Sequence, residues 1–178
     1  FNEDGSVVVV FNGEIYNFQT LVTELTALGH QFRTHCDTEV IVHAWEQWGE
    51  RCVDRFNGMF AFGLWDRNQQ ILFMARDRLG IKPFYYALLN NGLFLFSSEL
   101  KALVACPELD RTFNHQAIED YFAYGYIPEP KTVFNGTFKL NPGYFLKLSR
   151  GQTVPQPQQY WDVPFIPQEI TSEREAEE

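Results

Sequence analysis

The sequence predicts an α+β fold in which two stacked antiparallel sheets lie between helices. Helical periodicity dominates the first third of the chain, hairpin signals follow one another after Gly58, and several strand-like runs are apolar on both faces. Sequential hairpins favour antiparallel pairing, and strands buried on both faces need a packing layer on each side. The chain has 178 residues, 45% of them hydrophobic, which is enough for one sizeable core or two small ones.

A strand and two helices open the chain. The run Val7–Phe11 predicts a strand buried on both faces that ends in a turn at Asn12–Gly13. Two amphipathic helices follow. The first has Asn17 as its N-cap and Gly29 just beyond its C-terminus, and the second has Asp37 as its N-cap.

Hairpins dominate the chain beyond Gly58. Two apolar runs flank Asp66–Gln70, and a second pair flanks Asn90–Gly92. A third helix is capped by Asn114, and turn residues at Asn141–Gly143 predict a last hairpin.

The composition of the chain excludes several classes of function and partner. Lys and Arg number 14 against 23 Asp and Glu, a formal net charge of −9, which argues against a nucleic-acid or anionic-membrane partner. No uninterrupted apolar run approaches the roughly 20 residues that a membrane-spanning helix needs. Three cysteines are an odd number without a disulfide framework, so we expect a reducing compartment, the cytoplasm.

Metal-ligand and nucleophile patterns are weak. The four histidines and three cysteines form neither a Cys-x-x-Cys pair nor a His-x-x-x-His pair, so no metal site is expected. The one cluster, His35–Cys36 followed by His43, is better interpreted as a polar turn and a helix histidine. A phosphate-binding glycine loop is also missing, since Gly80 lacks the partner glycines.

The strongest candidate site follows the first strand. The Asn12 amide is a hydrogen-bond donor, Gly13 lets a ligand approach its backbone N–H, and Glu14 adds an anion. Together they suit a ligand with a carbonyl oxygen and an ammonium group. The alternative is a plain tight turn with Glu14 in solvent. Asp37 is similarly open to two interpretations, as a helix cap or as a ligand-binding carboxylate.

A dense mixed-charge loop is formed by Arg76–Arg78 and Lys82. It is either a self-satisfied cluster of salt bridges or a docking surface, and the sequence alone favours the cluster.

Five ordered motifs carry a resemblance. They are Asn12–Asn17 (NGEIYN), Cys36–Val40 (CDTEV), Asn57–Phe62 (NGMFAF), Arg76–Pro83 (RDRLGIKP) and Ser97–Leu103 (SSELKAL). In this order they resemble the glutaminase domain of glutamine-hydrolysing asparagine synthetases, from about Val7 to about Leu148. Five ordered motifs are far more specific than one.

The resemblance implies a class II amidotransferase with the N-terminal nucleophile hydrolase fold, a four-layer αββα sandwich. In such enzymes an N-terminal cysteine attacks the side-chain amide of glutamine, its own α-amino group acting as the base, and water hydrolyses the thioester to glutamate. By resemblance, the Asn12 side chain and the Gly13 N–H form the oxyanion hole, and Glu14 and Asp37 hold the α-ammonium of glutamine.

The resemblance also implies a domain plan. Residues 1–152 correspond to the amidotransferase domain without its N-terminal segment, and residues 153–178 to a linker and the start of an ATP-dependent synthetase domain. The released ammonia would amidate a carboxylate such as aspartate there. ATP and Mg²⁺ belong to that domain, and no cofactor is expected in this segment. We expect the Arg76–Pro83 loop and the Ser98–Leu103 helix to face the synthetase domain, and a homodimer stays open.

The departures from the family pattern bear on activity. The family's nucleophile and its carboxylate-binding arginine belong to a segment ahead of the part that corresponds to this chain. Cys36, Cys52 and Cys106 are no substitutes because none has a terminal amine beside it. The pair His35–Cys36 stands where the family often has a Gly-Ser-like pair before Asp37. We therefore expect this segment to bind glutamine weakly without hydrolysing it.

Two alternatives remain open on the sequence. One is another class II amidotransferase, such as those that supply ammonia to sugar phosphates or to phosphoribosyl pyrophosphate. The other is a module without a nucleophile that binds glutamine or acts as a scaffold.

Overall fold

A computed structural model describes residues 1–151 and 156–164 of the chain. Within them, strands and helices alternate in blocks. The strands are β1 (Val7–Ile15), β2 (Gly58–Asp66), β3 (Ile71–Arg76), β4 (Tyr85–Leu88), β5 (Phe94–Ser97), β6 (Thr137–Lys139), β7 (Tyr144–Ser149) and β8 (Gln158–Gln159). The helices are α1 (Phe18–Ala27), α2 (Asp37–Trp48), α3 (Cys52–Arg55), α4 (Leu100–Val104) and α5 (His115–Tyr124), with a 3₁₀ turn at Gly49–Arg51.

Two antiparallel sheets are stacked on each other. One has the strand order β1-β2-β3-β7-β8 and the other the order β5-β4-β6. Every strand pair within them is antiparallel. The α+β prediction with two antiparallel sheets is therefore confirmed.

Three apolar cores define four layers. The first packs α1 and α2 on the larger sheet and contains, among others, Leu25, Ile41, Phe62 and Phe73. The second lies between the sheets and includes Met74, Tyr86 and Leu146. The third packs α4 on the smaller sheet through Ala87, Leu89, Leu103 and Leu109. Since helix, sheet, sheet and helix follow one another, the structure is the αββα sandwich.

The first strand is longer and less buried than predicted. β1 continues through Asn12 and Gly13 to Ile15, so the predicted turn at Asn12–Gly13 is wrong. The prediction of burial on both faces is also wrong, because Val10 is 58% exposed. β1 has β2 on one side only among the described strands, and a cleft between the sheets opens beside Val10.

The helix limits are close to those predicted, but the caps differ. Asn17 is the N-cap of α1, yet its side chain bonds to Arg55 and Asn57 instead of to the helix. Cys36 is the N-cap of α2, so Asp37 lies one residue inside the helix. Asn114 caps α5 as predicted, accepting the N–H of Ala117.

The predicted last hairpin does not form. β6 pairs with β4 in the smaller sheet, whereas β7 pairs with β3 in the larger one. The turn at Asn141–Gly143 therefore carries the chain from one sheet to the other.

Residues 156–164 pack on the sandwich. β8 extends the larger sheet beside β7, and the Tyr160 hydroxyl donates to the carbonyl of Arg76 at 2.8 Å. The sheet thus continues beyond residue 152, where a domain boundary is predicted. The boundary stays a prediction, and residues 153–155 and 165–178 of the predicted linker segment lie outside the described part of the chain.

None of the helices within the described ranges combines the length and the apolar character required to cross a bilayer.

Candidate functional site

The outer edge of β1 presents backbone N–H groups. Tyr16 at the end of the strand donates its N–H to Asn57 at 2.7 Å, so the even-numbered residues of β1 point their backbone groups at β2. The odd-numbered residues, Gly13 and Ile15, then point theirs outward. Phe60, which lies opposite Gly13, confirms this alternation because its N–H and C=O both bond to Asp77. The N–H of Gly13 is therefore directed to the open edge of the sheet.

Glycine is required at this position by the close approach of β1 and β2. A Cβ on Gly13 would lie 2.1 Å from the carbonyl oxygen of Met59, and a Cβ on Gly58 would lie 2.1 Å from that of Glu14. Gly13 also has φ of 152°. The two glycines let the strands pack backbone to backbone at the candidate donor.

The Asn12 amide lies in a cleft between the two sheets. The cleft has a volume of about 210 Å³ and runs along the inner face of β1 and β2. Its walls are Val10, Phe11, Asn12, Ala61, Phe62, Gly63, Pro83, Phe84, Phe96, Ser97 and Ser98. Within residues 1–151 and 156–164 the Asn12 side chain has no hydrogen-bond partner, so its amide N–H₂ is free to donate to a ligand.

Two carboxylates lie beside this donor pair. Asp37 accepts the outward N–H of Ile15 on its Oδ2 atom at 2.9 Å, which fixes the start of α2 against the edge of β1. Glu14 is exposed and, two residues from Asn12, lies on the same face of the strand. No ion pair involves either carboxylate in the part of the chain that the structure describes. The edge thus carries two anions without a protein cation.

The spacing along the edge suits a short bifunctional ligand. Gly13 and Ile15 are two residues apart, so the Gly13 N–H and the Ile15 N–H that holds Asp37 are about 7 Å apart. A donor for a carbonyl oxygen and an acceptor for an ammonium are therefore separated by a distance comparable with an extended amino-acid side chain.

Glu39 holds the loop that delivers Asp37. Its carboxylate accepts the N–H groups of Arg33 and Thr34 at 2.8 and 2.7 Å. Burial opposes ionisation of Glu39, but these bonds, with that from the Thr34 hydroxyl, hold its pKa below the ordinary value of 4.5. A buried, ionised Glu39 therefore fixes residues 33–36 ahead of the helix.

The Arg76–Pro83 loop is organised by two buried charges that do not pair with each other. Asp77 accepts the N–H groups of Phe60, Leu79, Ile81 and Lys82 at 2.9–3.2 Å. Arg76 donates to the carbonyls of Gly80, Lys82 and Leu140 at 2.6–2.7 Å, with Glu129 at 3.5 Å. The predicted cluster of internal salt bridges is therefore wrong. Asp77 and Arg76 instead fix the loop by hydrogen bonds to its backbone N–H and C=O groups. The side chains of Leu79 and Ile81 are left exposed.

Sequence reasoning missed this role of Asp77. Its signal was an Asp followed within six residues by Gly80 and Pro83, a pattern in which a carboxylate can accept several backbone N–H groups of one turn.

None of the three cysteines lies in the cleft. All are free; Cys52 is fully buried, and burial raises the pKa of its thiol. Cys36 is exposed, and a hydrogen bond with the Thr34 hydroxyl lowers its pKa. Since the cleft walls include neither these two nor Cys106, the structure brings no thiol to the free amide of Asn12.

Solved structures of known proteins share this fold. One, titled the allosteric regulatory enzyme of purine biosynthesis, is matched over 90% of this chain and 30% of its own, with a TM-score of 0.60 at 18% identity. Glutamine phosphoribosylpyrophosphate amidotransferase from Bacillus subtilis is matched over the same shares, with a TM-score of 0.59 at 18% identity. The sandwich is therefore the N-terminal nucleophile hydrolase-type fold of class II glutamine amidotransferases.

Sequence comparison gives the family. The sequence-family model described as a glutamine amidotransferase domain matches residues 1–161. The chain therefore belongs to that family. Asparagine synthetase [glutamine-hydrolyzing] 3 of Bacillus subtilis is 41% identical over 157 residues, which are 87% of this chain and 25% of that protein. A putative asparagine synthetase [glutamine-hydrolyzing] 2 of Methanocaldococcus jannaschii is 39% identical over 160 residues, 89% of this chain and 30% of that protein. The chain thus spans between a quarter and a third of these relatives, and it is a glutamine amidotransferase domain homologous to their glutaminase domains.

Proposed function

We propose that this chain is the glutaminase part of an asparagine synthetase-like amidotransferase, which hydrolyses glutamine to glutamate and supplies ammonia for the ATP-dependent amidation of a carboxylate. One observation carries the proposal. The free Asn12 amide and Glu14 lie on the cleft face of the edge strand β1, and the outward Gly13 N–H and the Asp37 carboxylate lie at its outer edge within three residues of them; neither carboxylate has a cationic partner among the described residues.

The donor pair suits the oxyanion of amide hydrolysis. In the family reaction the thiol of an N-terminal cysteine attacks the amide carbon of glutamine and passes its proton to the α-amino group. The former carbonyl oxygen becomes negative, and the Asn12 amide and Gly13 N–H are the donors that stabilise it. Ammonia leaves with that proton, and water then converts the thioester to glutamate and regenerates the thiol. The β1–β2 pairing fixes the backbone of both residues, so the Gly13 N–H needs little reorganisation as the charge develops.

The carboxylate pair suits the substrate's ammonium group. An ammonium has three N–H donors and no acceptor, so it is matched by acceptors that lack a competing protein cation. Asp37 already uses one oxygen for the Ile15 N–H, and Oδ1 remains for the ligand. Glu14 supplies the second carboxylate from the cleft face of the strand.

The second half of the reaction belongs to a synthetase domain. The 41% identity with a glutamine-hydrolysing asparagine synthetase supports this partner, with ATP and Mg²⁺ bound there and not by this chain. The exposed Leu79 and Ile81, on a loop that Asp77 and Arg76 stiffen, support that loop as part of the contact. Free cysteines support a reducing, cytoplasmic setting.

The first experiment defines the natural N-terminus of the full-length protein by intact mass and N-terminal sequencing. A mature chain that opens with cysteine ahead of Phe1 is expected. Any other first residue overturns hydrolysis and leaves a glutamine-binding or scaffold module.

The second experiment tests the pocket itself. Calorimetric titration of L-glutamine into the 178-residue chain is expected to show weak binding without release of glutamate, whereas the full-length protein hydrolyses glutamine. In the full-length protein Asn12→Ala is expected to lower kcat by about 10²–10³, the usual cost of an oxyanion-hole donor. Asn135→Ala, an exposed amide remote from the cleft, is the matched control. Unchanged kcat in Asn12→Ala would remove Asn12 from the oxyanion hole.

A further inference from the structure

A cluster of metal-ligating side chains lies on the helical layer, away from the cleft. His43 and Glu46 are one turn apart on α2, and His30 follows α1. One ligand atom from each of these three residues lies within 4.8 Å of the other two. The spacing in sequence did not predict this cluster, because packing of α1 on α2 brings His30 to the other two.

The distances within the cluster suit a tetrahedral ion. Glu46 Oε2 lies 2.9 Å from His43 Nδ1 and 3.6 Å from His30 Nδ1. Two ligands held about 2.0–2.2 Å from a tetrahedral Zn²⁺ are about 3.4 Å apart, between these two values. Two imidazoles and one carboxylate form a ligand set that Zn²⁺ accepts, with a fourth position for water.

The outward atoms of the same side chains also have the partners that a metal site requires. His30 Nε2 lies 3.1 Å from Gln47 Oε1, and Asn2 donates to Glu46 Oε1 at 2.6 Å. His43 Nε2 faces Glu39 Oε1 at 3.7 Å. In metal sites the second nitrogen of a ligating histidine usually donates to such an oxygen and thereby fixes the ring.

His43 supplies an independent argument. Its side chain is completely buried, and its Nε2 atom has no hydrogen-bond partner within the described residues. While Nδ1 carries the ring proton toward Glu46, Nε2 is a bare lone pair facing the carboxylate of Glu39. A cation on Nδ1 would place the ring proton on Nε2, where it points at Glu39. Metal binding would thus replace a bare buried lone pair, 3.7 Å from a carboxylate oxygen, by an N–H directed at that oxygen.

We propose that His30, His43 and Glu46 form a site for a divalent transition-metal ion of the Zn²⁺ class. The ion joins the segment after α1 to the middle of α2. Through Glu39, which also holds the Arg33 and Thr34 N–H groups, it stiffens the loop that leads to Asp37. This site stands independently of the glutamine proposal, since it shares no residue with the cleft.

The test is metal binding by the 178-residue chain, freed of metal by a chelator and kept reduced. Titration with Zn²⁺ is expected to give one ion per chain and a rise in Tm that grows with free Zn²⁺. Co²⁺ is expected to give the intense visible absorption of a tetrahedral site. Gln47→Ala, which removes only an exposed outer partner, is expected to weaken affinity by about 10–100-fold.

Ligand variants and controls decide the result. His30→Gln and Glu46→Gln remove one ligand each at partly exposed positions, whereas His43 is completely buried. Circular dichroism of the metal-free chains checks that both variants fold, and both are expected to lose more affinity than Gln47→Ala. His35→Gln and His115→Gln, both exposed and outside the cluster, are expected to bind like the parent chain. Absence of stoichiometric binding overturns the proposal. So does a thiolate-to-cobalt absorption band abolished by Cys36→Ser, or unaltered affinity in both ligand variants.

Discussion

Asp37 accepts the N–H of Ile15 at 2.9 Å, which ties the first turn of α2 to the edge of β1. One carboxylate oxygen thus has a structural partner. The other, Oδ1, has only a long 3.5 Å contact with the Thr38 hydroxyl and is the oxygen that binds the ligand in our proposal. The residue combines the two interpretations that its sequence position left open, positioning a helix start and offering a charge.

Asp37→Asn separates these two roles. An asparagine oxygen still accepts the Ile15 N–H, so we expect a folded protein in which KM for glutamine rises about 10–100-fold, because a charged hydrogen bond of about 1.5–3 kcal/mol is lost. Steady-state glutaminase kinetics on the full-length protein measure this change in KM. Glu119→Gln, an exposed carboxylate on α5, is the control and should leave KM unchanged. An unchanged KM in Asp37→Asn would exclude Asp37 from ammonium binding.

Gly13→Ala should destabilise the sandwich strongly. The new Cβ would lie 2.1 Å from the Met59 carbonyl oxygen, and backbone cannot move aside as a side chain does. We expect a loss of about 3 kcal/mol or more in the free energy of unfolding, measured by urea denaturation. Gly92→Ala, at φ of 83° with nothing within 4 Å, isolates the backbone strain and should cost about 1–2 kcal/mol. Equal losses would contradict the steric argument.

Asp77→Ala should open the loop before β4. The substitution leaves four backbone N–H groups without their acceptor, including the buried one of Phe60. We expect a loss of about 3 kcal/mol in unfolding free energy, since one unsatisfied buried group costs about 1–3 kcal/mol. Asp110→Ala is the matched control, because Asp110 accepts two bonds from Thr112 in an exposed turn, where water can replace the lost acceptor, and should cost clearly less than Asp77→Ala. Similar losses in both variants would contradict a special role for Asp77.

Glu39 should contribute stability that depends on pH. Its pKa in the folded chain is below 4.5, so its contribution is fully present above that pH and is lost as the pH falls through the folded-state pKa. Glu39→Gln should therefore be less stable than the parent chain at pH 7, with a difference that shrinks under acid. Denaturation series from about pH 7 to about pH 3 measure this difference; a gap that widens toward the acid end would show the opposite sign of linkage.

The cysteines should differ in reactivity. Cys36 is exposed and its pKa is lowered by the bond with the Thr34 hydroxyl, whereas Cys52 is buried with a raised pKa. Iodoacetamide should alkylate Cys36 first and Cys52 only after unfolding. Thr34→Val should slow the reaction at Cys36 alone. Peptide mass spectrometry over time follows both sites, and rapid native labelling of Cys52 would contradict its burial.

The sequence was most informative where a signal is local. The start of α5 follows from Asn114, a side-chain cap that needs no information from elsewhere in the chain. The layered α+β plan followed from the succession of hairpins after two helices. The family resemblance likewise rests on short motifs that remain visible in one chain.

The rest depended on contacts between distant segments. Asn141–Gly143 has turn chemistry whether its flanking strands pair with each other or join different sheets, so the crossover between β6 and β7 was not predictable. The length of β1 depended on Gly58, which permits β2 to pair beyond Gly13. The approach of His30 to Glu46 was set by the packing of α1 on α2. The roles of Asn12, Gly13, Glu14 and Asp37 as site residues stay predictions.

The unpaired outer edge of β1 has a consequence for handling the protein. Four consecutive valines lie in an edge strand, and its outward amides at Val9, Phe11 and Gly13 lack a partner among the described residues, whereas those at Val7 and Ile15 are held by Asn2 and Asp37. Such a margin is a template for any extended chain, including another copy of itself. We therefore expect the 178-residue chain to self-associate as its concentration rises.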